Sequence, residues 1–257
     1  MCLVLLVHGV HPRYRLIVAA NRDEFYDRPT ATAAYWTEAP DVLAGRDLRA
    51  GGTWLGVDRT GRFAAVTNFR QGEREAEAPR SRGHLVSGYL TGGARPSHYM
   101  RQVKRDAALY NGFNFLAADA TDVLYFSNRE GAMRALAPGV YGLSNHLLDT
   151  PWPKVTAGKA ALEALTRDRG APDLMVELFG LLADRTRPSD DRLPETGIGP
   201  EWERLLSSAF IASPSYGTRS STVVLVGGDG GVAFGERSFG PNGEFAGEVR
   251  YHLGQAG

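Results

Sequence analysis

The first twenty residues carry the tightest constraint on the fold. Cys2-Leu3-Val4-Leu5-Leu6-Val7-His8 and the run from Tyr14 to Ala20 are apolar at nearly every position. Both are too short for buried helices and favour strands. Gly9 to Pro12 lies between them and carries turn chemistry, so the pair reads as an antiparallel hairpin. Polar residues do not alternate along either run, so neither face of the hairpin can meet water. The sheet containing it must be covered on both sides. A chain of 257 residues is long enough to build such a sheet and its cover.

The rest of the pattern supplies the cover. Residues 21–50 read as a polar loop. Gly52-Thr53-Trp54-Leu55-Gly56-Val57 and the run Arg62 to Asn68 predict a second strand pair around the turn Asp58-Arg59-Thr60-Gly61. Charged residues and Pro79 make 71–82 an exposed loop. Helices are predicted over 83–93 and 97–110, then strands over 112–118, 122–127, 132–136 and 139–144. Leu162 and Leu165 mark a further helix, and Leu174, Leu178, Leu181 and Leu182 mark another at helical spacing. Residues 185–200, rich in Pro, Asp and Gly, read as a mobile loop. Strands return at 221–226, 232–238 and 248–253. Strands, then helices, then strands, with no repeat and no linker, predict one α+β domain over 1–257 with helices stacked on antiparallel sheets.

Composition excludes several functions. The 29 basic and 29 acidic residues cancel, which leaves no electrostatic footprint for nucleic acid and no polybasic membrane anchor. No apolar run approaches the ~20 residues of a transmembrane helix. The amino terminus shows no signal-peptide pattern, so a cytoplasmic location is expected. With a single cysteine the chain can form no internal disulfide, and the six histidines show no metal-ligand spacing. A small-molecule substrate or ligand is the expected partner; no feature fixes an oligomeric state.

Cys2 is the only thiol. Removal of Met1 would place it beside a free α-amino group of reference pKa ~7.7–8.0, a usable base near neutral pH. A nucleophile next to its own amine suits attack on a carbonyl. The alternative is a small hydrophobe opening a buried strand. Asn21-Arg22-Asp23-Glu24 ends the second run, and antiparallel pairing brings it beside Cys2. Its amide, guanidinium and carboxylates could orient the amine and bind a polar substrate group, or form an ion-paired turn. Trp54 is core or pocket wall. Thr67-Asn68-Phe69-Arg70 ends another strand, where Asn68 is an oxyanion donor or a turn former. Ser144-Asn145-His146 leads into a helix; the oxyanion role of Asn145 stays open, while Asp149 or Thr150 is placed to cap that helix behind Pro151 and Pro153. Arg219, in Tyr216-Gly217-Thr218-Arg219-Ser220-Ser221-Thr222, is either a carboxylate- or thiolate-binding group or a surface arginine.

Taken together and in this order, Met1-Cys2, Asn21-Arg22-Asp23-Glu24, Gly45-Arg46-Asp47, Gly51 to Gly56, Thr67 to Arg70, Ser144-Asn145 and Tyr216 to Thr222 resemble the NRDE family, also called the transport and Golgi organisation protein 2 family. The resemblance spans residues 2 to about 226. It implies kinship with amino-terminal-nucleophile (Ntn) hydrolases and a four-layer αββα sandwich, two stacked antiparallel sheets covered by helices. Within that superfamily the chain is similar to the choloylglycine hydrolase and penicillin V acylase group. By that likeness Cys2 is the nucleophile, Asn68 and Asn145 hold the oxyanion, and Arg219 matches a late arginine. The group's Arg-x-x-Asp signature falls, without a gap, on Asn21 and Glu24, so Asp23 and Glu24 both stand for its aspartate. Asn21, Arg22 and Asp23 join the catalytic set, with Glu24, Trp54, Arg70 and His146 lining the substrate. The function implied is a cysteine Ntn hydrolase of linear amides, or a related acyltransferase, needing no cofactor. The family's associations imply an alternative: a carrier of haem or an acyl-CoA or lipid, with Cys2 and one of His8, His11, His84 or His146 on the iron.

Overall fold

The computed structural model describes residues 2–72, 78–167 and 173–254. The opening hairpin forms as expected: β1 (Cys2–His8) pairs with β2 (Tyr14–Phe25). The next strands are β3 (Thr30–Trp36), β4 (Ala39–Asp47), β5 (Leu55–Asp58) and β6 (Phe63–Asn68). Helices α1 (Gly83–Thr91) and α2 (Pro96–Arg105) follow, then β7 (Phe113–Ala118), β8 (Val123–Ser127), β9 (Met133–Ala135) and β10 (Gly139–Leu143). Helices α3 (Pro153–Arg167), α4 (Leu174–Leu182) and α5 (Pro200–Leu205) precede β11 (Tyr216–Gly227), β12 (Val232–Phe239) and β13 (Phe245–Leu253).

Two wholly antiparallel sheets result, ordered β10-β1-β2-β11-β12-β13 and β3-β4-β5-β6-β7-β8-β9. Strand alternation divides the apolar side chains among layers. Val4, Leu6, Leu16, Val18 and Val224 of the first sheet meet Leu43, Leu55, Val57, Phe63 and Leu116 of the second in a dry seam. On the outer face of the first sheet, Leu3, Leu5, Ile17 and Val223 pack under Val155 and Leu162 of α3 and Leu178 and Phe179 of α4. Val42, Ala64, Val66 and Phe115 of the second sheet pack under Leu85 and Tyr89 of α1 and Met100 of α2. The architecture is therefore the expected αββα sandwich.

Several boundaries differ from expectation. Residues 21–50 are not a polar loop. β2 continues to Phe25 because β1 and β11 bond its backbone on both sides, pairing Leu3 with Asn21, Cys2 with Arg22 and Thr218 with Asp23. Two further strands, β3 and β4, then open the second sheet, with β-bulges that blur their two-residue period. The helix expected over 97–110 stops at Arg105 and gives way to a single 3-10 turn, Ala107–Leu109. The stretch 185–200 holds another such turn, Asp190–Arg192, and α5 begins at its end. Tyr216 to Thr222 lies within β11 instead of ahead of it, and its register shift at Thr218/Ser220 turns Arg219 out of the ladder. Asp149 and Thr150 do not cap α3: Oδ1 of Asp149 accepts from the Gly142 N–H and the Lys159 ammonium, and the Thr150 hydroxyl donates to the Leu147 carbonyl.

Candidate functional site

The start of β1, the end of β2, the end of β10 and the start of β11 all lie at one end of the first sheet, because their neighbours run antiparallel. Cys2 opens β1 there and is half-buried. Below it the end of β6 is stitched to the loop after β10. The Thr67 hydroxyl donates to the Ser144 carbonyl at 2.7 Å, and the Arg70 N–H donates to the Asn145 carbonyl at 2.6 Å.

That stitching fixes Asn145, which is 0% exposed. Its Nδ2 donates to the Asn68 carbonyl at 3.0 Å, so Oδ1 faces the backbone nitrogen of Cys2 at 3.4 Å and accepts its N–H. The two partners together set the orientation of the amide: a carbonyl requires the NH2 group and an N–H requires the oxygen. Ser144, which the sequence reading left out of the site, donates from Oγ to the Cys2 carbonyl at 3.0 Å and to Oδ1 of Asn145 at 3.2 Å. The side-chain amide of Asn68 has no hydrogen-bond partner among the described residues, which leaves its donors available.

Arg22 sits directly across from Cys2 in the β1–β2 ladder, so the two side chains share the inter-sheet face. Its guanidinium lies over the Trp54 ring, 4.3 Å from the centroid, and donates to the Thr30 hydroxyl. Glu24, two residues on, is 4.0 Å from Arg22 and 3.9 Å from Arg28. Gly45 makes room for Trp54: a Cβ there would fall 2.3 Å from the indole.

Asp23 faces the opposite side, among the helices. It is buried, and its Oδ1 accepts from the Thr218 hydroxyl at 2.7 Å. Burial pushes the Asp23 carboxyl up, and the Lys154 ammonium pulls it back. Burial also pushes the Cys2 thiol above its usual value; among the further causes the Asp23 carboxylate raises it and the Arg22 guanidinium lowers it. Of the two acidic residues left open by the sequence, Asp23 is therefore the one whose charge the thiol feels.

Two predicted residues have other work. The Asn21 amide donates to the Leu182 and Ala209 carbonyls and accepts from the Ser221 hydroxyl, pinning β2 to the end of α4. Arg219 donates to the carbonyls of Phe25 and Arg28 and holds the β2–β3 turn. Arg70 and His146 lie beside the site in a partly buried cluster: Arg70 stacks on Trp152 and pairs with Glu203 at 3.2 Å, and His146 packs between Phe69 and Trp152. Burial, then the Arg70 charge, pulls the His146 pKa down. Two cations that sequence reasoning missed, Arg82 and Lys154, interact with a charge on Cys2, which raises the pKa of each against the lowering by burial. Lys154 directly follows Pro153 in the sequence, but its burial appears only once α3 is docked.

Among the described residues no group of three or more His, Cys, Asp or Glu side chains could hold a metal ion, and no helix is long and apolar enough to cross a membrane.

Comparison with known proteins agrees with this architecture. The solved structure of penicillin V acylase from Agrobacterium tumefaciens superposes with a TM-score of 0.55 at 12% identity, covering 93% of this chain and 84% of that one. At that identity the likeness shows the fold, an Ntn-hydrolase-like sandwich. Transport and Golgi organization protein 2 homologs of Bos taurus and Homo sapiens are 42% and 40% identical to the chain, each alignment covering 93% of both proteins. The family model described as Transport and Golgi organisation 2 matches residues 1–241, and the chain belongs to that family.

Proposed function

We propose that the chain is a cysteine Ntn hydrolase of linear amides, or transfers the acyl group to another acceptor, with Cys2 as nucleophile once Met1 has been removed. The observation that carries the reading is the contact between the Cys2 nitrogen and Oδ1 of Asn145. In the processed chain that nitrogen is the free amine, already held by an acceptor, and its lone pair is the base for the adjacent thiol. Burial raises the thiol's pKa, so little thiolate forms unaided and a neighbouring base is needed.

In this scheme the amine takes the thiol proton, and sulfur attacks the amide carbonyl. The Asn68 side chain and the second N–H of Asn145 donate to the developing oxyanion. The ammonium then gives its proton to the departing amine. Water, or an acceptor nucleophile, attacks the acyl thioester and frees Cys2. The likeness in fold to penicillin V acylase supports this class of reaction. A reducing compartment such as the cytoplasm would keep the lone thiol free.

The test has two arms. Intact mass shows whether Met1 is absent. Purified protein and a Cys2→Ala variant are then incubated with a panel of acyl amides, and the acyl thioester is sought by mass. The expected result is an adduct on the unaltered protein alone; equal hydrolysis by both proteins sinks the proposal.

Carriage of haem or an acyl thioester is the competing reading. His8 and His11 lie at the far end of β1, roughly 20 Å from Cys2 at ~3.3 Å per residue, so they cannot share an iron with its thiolate. His84 and His146 each have one ring nitrogen engaged, by the Ala50 carbonyl and the Thr150 hydroxyl. A saturable Soret change on titration with haem, lost in Cys2→Ala, would favour the carrier.

A further inference from the structure

Lys154 is an unusual residue for this chain. Arginine supplies nearly all the basic side chains, and Lys104, Lys154 and Lys159 are the only lysines. Lys154 sits in the first turn of α3 on the face turned toward the sheet, and is 6% exposed. Its ammonium makes no hydrogen bond among the described residues. A helix N-terminus is also the wrong end for a cation, because the unpaired N–H groups there are the positive pole.

The charges around it come from four other parts of the fold: Asp23 at the end of β2, Cys2 on β1, Arg70 after β6 and Glu203 on α5. Arg70 and Glu203 already pair with each other at 3.2 Å. Asp23 exerts the largest of these pulls on Lys154, and it lies one step along β2 from the cross-strand partner of Cys2. Beside α3 a cavity of about 220 Å³, lined by Lys154, Ala157, Gly158, Leu181, Ser207 and Ala209, has room for water to carry protons to the amine.

We infer that Lys154 and Asp23 form a buried amine–carboxylate pair behind Cys2, in which Lys154 is a positioning residue whose proton governs the reactivity of the thiol. When Lys154 is charged the pair is neutral, and the Arg22 guanidinium favours the thiolate. When Lys154 gives up its proton, the Asp23 carboxylate loses the largest of the charges that offset it, with Arg22 remaining, and opposes formation of the thiolate more strongly. Burial pulls the Lys154 pKa down to about 8, against the opposing pull of Asp23, so the change falls within an accessible range. Arginine could not serve here, because its guanidinium does not deprotonate. The inference rests on Cys2 as the reactive group and needs no substrate, so a protein that cleaves no amide still answers it.

The experiment begins with the unaltered protein labelled with 13C at lysine Cε. Three lysine signals are followed with pH, and the single thiol's alkylation rate by iodoacetamide is measured over the same range. One lysine signal, assigned by its absence in Lys154→Met, is expected to titrate near 8. Asp23→Asn should lower that midpoint by about one unit or more, since it removes the counter-charge. Lys154→Arg keeps the cation, so its alkylation should exceed that of the unaltered protein by about threefold to tenfold above pH 9 and converge with it below pH 7. A Lys154 signal titrating at the ordinary lysine value of ~10.4 overturns the inference. So does an alkylation profile that Lys154→Arg leaves unchanged. The titration itself uses no variant, so misfolding cannot mask the answer.

Discussion

Oε1 of Glu236, on β12 of one sheet, accepts the backbone N–H of Ala33, on β3 of the other, at 2.7 Å. This is a polar bolt through a largely apolar seam. The Thr222 hydroxyl donates to the second carboxyl oxygen, and Arg22 stands nearby. Burial nevertheless dominates and pushes the Glu236 pKa up to about 7.

The folded state therefore holds that proton more tightly than the unfolded chain, whose value is 4.5. The stability Glu236 contributes is fully present below pH 4.5, is lost as pH rises from 4.5 to 7, and is level beyond. The fall amounts to about 3 kcal/mol. Glu236→Gln keeps an acceptor for Ala33 and offers Thr222 an amide donor in place of the acceptor it now meets, without the ionisation. Urea unfolding at pH 4 and pH 8 should show it losing less stability between the two than the unaltered protein loses.

Gly52 tests the sequence motif on its backbone. A Cβ at this position would meet the Gly83 carbonyl carbon at 2.5 Å and its oxygen at 2.7 Å, so no side chain can swing aside to relieve the clash. Gly52→Ala should destabilise by about 1–3 kcal/mol, the usual cost of overpacking, read as a lower urea midpoint with the slope unchanged. Gly51, with φ +79° and open space beyond, should lose less on substitution by Asn than by Val.

What the sequence made legible follows from what each signal depends on. The opening hairpin was readable because Leu3 to Val7 and Leu16 to Ala20 are apolar on both faces, whatever packs against them. The extension of β2 was not. Asn21 and Asp23 read as loop residues until Ser221 and Thr218 arrive from nearly two hundred residues away to satisfy them. Cys2 and Asn145 could be named from their motifs, and the structure brings them into contact. Which atom of Asn145 faces Cys2 depends on the Asn68 carbonyl, a backbone group that no motif reveals. For Asp23 and Glu24, alternation said only that they point opposite ways.

The Arg70–Glu203 pair gives a third prediction. Both side chains are almost wholly buried, and burial pulls the Arg70 pKa down against the opposing charge of Glu203. Breaking such a pair from one side leaves a charge without compensation. Glu203→Gln should cost about 3–5 kcal/mol, while Arg70→Met with Glu203→Leu should recover most of it. Chemical denaturation of the three variants checks this; a single variant as stable as the unaltered protein would show the pair is not carrying a buried charge.

The last prediction concerns Asn145, whose one amide makes three contacts: an acceptor to the Cys2 nitrogen, an acceptor to the Ser144 hydroxyl and a donor to the Asn68 carbonyl. Asn145→Ala removes all three. Leaving the half-buried Asn68 carbonyl unmet should cost about 1–3 kcal/mol of stability. Against any amide that the unaltered protein cleaves, the chemical step should slow by about 100-fold or more, since the amine loses its anchor and the oxyanion a donor. Asn145→Asp separates the two losses, because it keeps an acceptor toward Cys2 and removes the donors. Single-turnover acylation followed by mass is the measurement. If Asn145→Asp acylates as slowly as Asn145→Ala, the donors matter most; if it acylates much faster, the acceptor toward the amine does; and wild-type rates in both would remove Asn145 from the site.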